Sequence, residues 1–197
     1  MVIRDLYQGT NSFVPSRLSA WVKCTKMTPR LQPLLMSKPA RYSARSVIQD
    51  GERTFFVTSK TLEGKALLQS DRMATLFIDV LRLYVAQRRF VVNEFVVMRD
   101  HVHLIITVDH QMSIEKAVQL IKGNFSYRAG KEFGLRGTIW QRGFSEVRIL
   151  DRTAFLKYKS YIEENPVKAG LVESAEDYPY CSLYLRKRKA AKAGGRG

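Results

Sequence analysis

Two runs of β-branched and aromatic residues, Phe90 to Met98 and His101 to Val108, are separated only by Arg99 and Asp100. Two residues are too few for a crossover, so the runs must pair as an antiparallel hairpin, with a tight turn that lacks the usual glycine. Side chains alternate along a strand, so His101 and His103 project from one face while Val102, Leu104 and Ile106 project from the other.

The remaining elements can be placed around that hairpin. Thr54 to Thr58, bounded by Gly51 and Gly64, reads as a strand. Ser70 or Asp71 can cap a helix whose apolar positions Met73, Leu76, Phe77, Val80 and Leu81 recur at three and four and which ends near Arg89. Ser113 can cap a second helix with Ile114, Ala117, Val118, Ile121 and Phe125 on one face and Lys116, Lys122 and Arg128 on the other. Trp140-Gln141-Arg142-Gly143 leads into a strand from Phe144 to Ile149, and Asp151 can cap a third helix. Asn165-Pro166 is expected to end that helix at about Glu164, because proline pushes its predecessor out of the α region. The order β, α, β, β, α, β, α predicts an α+β fold. It is a ferredoxin-like split βαβ sandwich, an antiparallel four-stranded sheet with helices on one face, plus an added C-terminal helix. The second face is expected to stay open, as in sheets that bind single-stranded nucleic acid.

The flanks differ from this core. Residues 1–50 hold four of the six prolines and eight basic against two acidic residues, and are expected to form a loose basic extension ahead of a domain over 51–184. The basic run Arg186, Lys187, Arg188, Lys189 among Ala and Gly predicts a disordered tail over 185–197. In all, 33 Lys and Arg stand against 18 Asp and Glu, a net charge of +15, which calls for a polyanionic partner, nucleic acid before all others. The bland alternative is a solvated basic surface. No apolar run approaches the roughly 20 residues of a bilayer span, so no membrane partner is expected, and the protein is expected to be cytoplasmic and associated with the nucleoid. Cys24 and Cys181 lack any CxxC partner and are expected to be reduced thiols.

Two imidazoles on one face can hold a divalent cation, although paired strand histidines also occur as plain surface or satisfied core residues. The third helix presents Lys157, Tyr161 and Asn165 along one stripe, next to an apolar stripe of Phe155, Tyr158 and Ile162. Tyr161 stands at the border of the two, where most tyrosines merely pack. A phenolate beside a cation can instead attack phosphorus, forming a phosphotyrosine that retains the energy of the broken bond. Phenol ordinarily titrates at about 10, so the cation or Lys157 would have to help ionise it. Lys157 can equally serve only to bind phosphate.

Three segments in order, Phe95 to Ile106, Trp140 to Phe144 and Tyr161 to Val172, resemble the REP-associated tyrosine transposases of the HUH endonuclease superfamily, relatives of the single-tyrosine transposases of small insertion sequences. The resemblance spans roughly residues 53 to 184. It implies His101 and His103 as metal ligands, Tyr161 as nucleophile, Mg²⁺ or Mn²⁺ as cofactor, and single-stranded hairpins from repetitive extragenic palindromes as substrate. Asn165 is the candidate third ligand, with Glu164 as fallback and a helix-end role for Asn165 as the alternative. Gly170 is expected to take a turn conformation favoured by glycine. The candidate DNA contacts are Lys116, Lys122, Arg128, Trp140, Gln141, Arg142, Lys157, Lys168 and the tail residues Arg186, Lys187 and Arg188, with Trp140 better read as packing. Such proteins commonly carry Met-Pro-Asn-His before the second histidine of the pair is reached; here Met98-Arg99-Asp100-His101 stands instead, and Asp100 is expected to face solvent or approach the metal. Monomer and homodimer are equally compatible with the sequence. The rival function is a retired transposase that holds hairpin DNA or RNA without cutting, and a third is a nuclease that uses water.

Overall fold

The computed structural model describes residues 51–194, so the expected basic extension over 1–50 and Cys24 lie outside the described residues. The elements follow as β1 (Arg53–Lys60), α1 (Asp71–Ala86), β2 (Val91–Val97), β3 (His101–Val108), α2 (Ile114–Phe133), β4 (Ser145–Ile149), α3 (Arg152–Lys168) and α4 (Ser182–Gly194). The strands form one four-stranded antiparallel sheet in the order β2-β3-β1-β4, the arrangement expected of the split βαβ fold. Ser70, Ser113 and Asp151 cap the first three helices, each side chain accepting from a backbone N–H three residues on. The hairpin between β2 and β3 closes with Met98 N donating to the His101 carbonyl at 2.8 Å.

The main core lies between one sheet face and α1 with α2. Phe55 and Val57 from β1 and Val102, Leu104 and Ile106 from β3 are buried there with Leu76, Phe77, Ile121 and Phe125. Trp140 joins them, its ring 5.3 Å from Phe125 and 5.9 Å from Phe77.

The second face is not open. Helix α3 lies across it, with Tyr158 stacked on Phe56 at 4.5 Å and Ile162 fully buried. The reason is that this face is itself apolar away from the histidines. Val96 and Ile105, which flank His103 on it, have no exposure and would otherwise meet water.

Helix α3 also continues through Pro166 to Lys168, a full turn past the expected stop. A proline inside a helix removes one hydrogen bond and crowds the preceding turn. Here Pro166 is buried, and the helix ends immediately afterwards in a well-bonded C-terminal motif. Leu171 N reaches back to the Pro166 carbonyl and Gly170 N to that of Val167, with Gly170 at φ +66°, the left-handed conformation expected of it.

The basic run that reads as a disordered tail is helical through Gly194 as α4. Strong helix formers fill it, and contacts of its first turns tie it to the rest of the fold. Residues 180–182 close the outer edge of β2, with Val97 N donating to the Tyr180 carbonyl at 2.9 Å and Phe95 N to the Ser182 hydroxyl at 3.2 Å. One turn on, Arg186 donates to both carboxylate oxygens of Glu94 at 2.7 and 2.6 Å and to Glu163 of α3 at 2.8 Å. Lys159 of α3 binds Glu163 and lies 3.7 Å from Glu94, and the Ser182 hydroxyl donates to Glu94. The Glu94 side chain is only 5% exposed, so β2, α3 and α4 are joined through one buried carboxylate. A bulge between Val92 and Glu94 puts it on this face.

Removing Arg186 would leave that carboxylate buried with too few donors. Arg186→Ala is expected to lower stability by about 3 kcal/mol, against less than about 0.5 kcal/mol for Lys189→Ala on the exposed side of α4. Urea denaturation measures both, and equal small losses would reduce the cluster to a surface ion pair.

Candidate active site

The register of β1 against β3 sets His103 opposite Thr58 and His101 opposite Lys60, all on the face covered by α3. The His103 Nδ1 lies 2.8 Å from the Thr58 hydroxyl, and the His101 Nδ1 donates to the Asp100 carboxylate at 2.7 Å. The Asp100 carbonyl is itself held by Thr61, through both its backbone N–H at 2.8 Å and its hydroxyl at 2.9 Å. Each imidazole is thus oriented through Nδ1, leaving Nε2 as the nitrogen with a free lone pair when Nδ1 carries the proton. The rings stand edge to face with centroids 4.8 Å apart.

Burial, reinforced by the positive charges of His101 and Lys60, pushes the His103 imidazole down to about 3. It is therefore neutral across the physiological range, the form that ligates a metal. The hydrogen bond from His101 holds the Asp100 carboxyl below its usual range. Asp100 thus orients His101 rather than simply facing solvent.

Tyr161 projects from α3 against this pair. Its ring is 5.1 Å from His103 and 5.8 Å from Phe56, edge-on to both, and 41% of the residue is exposed. It sits at the border between packed and wet surfaces, while Tyr158 and Ile162 occupy the packed stripe. The tyrosine and both histidines meet within one chain.

The donor set suits a divalent cation in part. Two neutral, oriented imidazoles fit, but among the described residues no group of three or more His, Cys, Asp or Glu side chains is arranged to hold a metal. Asn165 lies one turn beyond Tyr161 on α3 and is half-buried. Glu164 is turned outward, accepting from Ser160 at 2.6 Å and Lys168 at 2.7 Å, and the bond from Lys168 lowers its titration range.

The expected DNA contacts divide into two groups. Lys116, Gln141, Arg142 and Lys157 are exposed, and among the described residues neither Arg142 nor Lys157 forms an ion pair. The others have partners within the chain. Lys122 donates to the carbonyls of Gln141 at 2.9 Å and Gly143 at 2.7 Å, pinning the loop after Trp140. Arg128 binds Glu132, Lys168 binds Glu164, Lys187 binds Glu176, and Arg188 lies over the Tyr184 ring. Arg186 is the centre of the Glu94 cluster and does not extend into solvent as a tail residue would. Trp140 is 6% exposed and packs, as favoured from the sequence.

Sequence reading missed Thr58, Lys60 and the Glu94 cluster. Alternation from Phe56 would have put Thr58 and Lys60 on one face of β1, but the partner strand was needed to set them beside the histidines.

The fold belongs to a known class. Residues 60–165, more than half of the chain, match the family model described as Transposase IS200 like, and the chain belongs to that family. Within it, the chain is 30% identical over 98 residues to the REP-associated tyrosine transposase of Escherichia coli (strain K12), covering 49% of this chain. It is 32% identical over 98 residues to a Haemophilus influenzae protein provisionally described in the same terms, covering 45% of this chain. The matched segment spans 56% of the length of each of these relatives. Among solved structures, a REP-associated tyrosine transposase bound to a REP hairpin aligns at a TM-score of 0.57 and 29% identity, covering 80% of this chain and 87% of that one. Among the described residues no helix is long and apolar enough to cross a membrane.

Lys122→Met should cost about 1 to 2 kcal/mol and speed hydrogen exchange of the loop amides around 141–143, because two carbonyls lose a charged donor. Unchanged exchange there would return Lys122 to the group of free cations.

Proposed function

We propose that this protein is a transposase that cleaves and rejoins single-stranded DNA at hairpins of the REP type through a 5′-phosphotyrosine intermediate. The observation that carries this reading is the packing of the Tyr161 ring 5.1 Å from that of His103, one of two neighbouring imidazoles whose Nδ1 atoms are already engaged. His101 and His103 would hold Mg²⁺ or Mn²⁺ through Nε2, with Asn165 or the substrate phosphate completing the ligands; Glu164 is committed to Ser160 and Lys168. The bound cation would supply charge stabilisation to the phosphate oxygens.

The chain's own residues do the rest. The Tyr161 oxygen attacks phosphorus and becomes linked to the 5′ phosphate, releasing a 3′ hydroxyl, and the reverse attack rejoins the strand. Asp100 and Thr58 hold the two rings through Nδ1. Phe56 and Tyr158 seat α3 with the Tyr161 ring against His103. Lys116, Arg142 and Lys157 are suited to backbone phosphates, which fits the net charge of +15. The solved relative bound to a REP hairpin supports hairpin DNA as the partner.

Incubation of labelled REP-type hairpin DNA with Mn²⁺, followed by denaturing gel analysis, is expected to give a covalent adduct that Tyr161→Phe abolishes. DNA that is retarded but uncut by wild type and variant alike would mean a hairpin-binding module; free 5′ phosphate ends independent of Tyr161 would mean a water-using nuclease. Mixing His101→Ala with Tyr161→Phe protein should not restore cutting, because the three residues meet within one chain. Thr58→Val should weaken Mn²⁺ binding about 10- to 100-fold by titration calorimetry, the usual effect of losing a group that orients a metal-binding histidine.

A further inference from the structure

Lys60 closes β1 and enters neither the metal pair nor the nucleophile. Its register partner on β3 is His101, and it follows Phe56 and Thr58 on the same face of the strand. At about 3.3 Å per residue, these three side chains leave the strand at intervals of about 6.6 Å. Tyr161 lies over the Phe56 end, its ring 5.8 Å from Phe56 and 5.1 Å from His103. Lys60 therefore stands at the opposite end, beside His101. Strand alternation puts its side chain on this face, with Phe56 and Thr58. The side chain is exposed, and among the described residues no carboxylate pairs with it within 4 Å. The Lys60 carbonyl also accepts from Gln141 N at 2.9 Å, anchoring the loop that carries Arg142 to the same end of the strand.

Displacement at phosphorus keeps the attacking and leaving oxygens roughly in line. With the nucleophile at one end of the imidazole pair, the leaving oxygen must point to the other. We infer that Lys60 is a catalytic residue that donates a proton to the departing 3′ oxygen, an inference that rests on the transposase reading above. The step balances. The phenol proton passes to solvent, the Tyr161 oxygen bonds to phosphorus, and the P–O3′ bond breaks with its electron pair going to O3′. The Lys60 ammonium supplies the proton that makes this oxygen a hydroxyl, and the neutral amine regains one from solvent or takes it back from the hydroxyl on rejoining.

The test compares two hairpin DNAs cut at a site first mapped with wild-type protein, one with the natural 3′ oxygen at the scissile bond and one with sulfur there. Sulfur leaves readily as a thiolate and needs no proton. Lys60→Gln and Lys60→Met should slow adduct formation on the oxygen substrate about 100-fold, a loss in the range of general acid catalysis. Both should cut the sulfur substrate within about threefold of wild type and keep hairpin affinity within the same margin. An unchanged rate on oxygen DNA, or equal slowing on both DNAs, overturns the role of Lys60 while leaving the transposase reading intact. Failure of the wild-type protein itself to form a Tyr161 adduct defeats that reading, and this inference with it.

Discussion

The packing of α3 across the sheet's second face is the contact on which the rest of the site depends. Tyr158 stacked on Phe56 and the fully buried Ile162 supply the apolar part, and the Glu94 carboxylate, gripped by Arg186 with Lys159 alongside, supplies the directional part. Apolar stacking alone fixes a distance but tolerates sliding. A buried carboxylate with several donors does not, because any shift leaves a charge without partners in a poorly solvated place. Lys159 and Glu163 stand two residues before and after Tyr161 on the same helix. The register of the phenol over His103 is therefore set by the same contacts that hold the helix in place.

The distribution of charge follows from that division of labour. A chain with a net charge of +15 repels itself when compact, so some cations must be neutralised locally for the fold to close. Arg186 and Lys159 do this in the interior, and Arg128, Lys168 and Lys187 do it at the surface with neighbouring carboxylates. Among the described cations without a carboxylate partner, Lys60 and Arg142 lie near one end of the imidazole pair and Lys157 lies on α3. Net charge alone points to a polyanion without saying where one would lie; cations beside the imidazole pair suit phosphates at that site.

The strands and the apolar faces of α1 and α2 were legible in the sequence because each depends on local periodicity and a nearby cap. The two-residue turn at Arg99 and Asp100 was likewise enough to put both histidines on one face. The covering of that face was not legible, because it depends on Val96, Ile105 and Phe56 sharing a surface, a fact of register between strands distant in sequence. The same limit explains the reading of α4 as disordered. Its local composition is basic and poor in large apolar residues after Leu185, and the ordering partner, Glu94, is 92 residues away from Arg186. Pro166 misled for a related reason. Its cost within a helix is local, while the burial that offsets it is tertiary.

The same cluster bears on whether α3 can be exchanged between two copies of the chain. Moving α3 alone to a partner would take Lys159 and Glu163 away while leaving Glu94 and Arg186 behind. The intrachain cluster would then be incomplete unless the partner's α3 arrived in the same register. An exchange that satisfied every group would need α3 to cross while α4, tied to the edge of β2 through Tyr180 and Ser182, stayed at home. The segment between them, from Ala169 to Cys181, is itself folded back onto β2, with the Tyr178 hydroxyl donating to the Val97 carbonyl at 2.7 Å and Cys181 bridged to Val96. Little slack is left for a crossing. The geometry that gives the phenol its place thus also favours an active site built from a single chain.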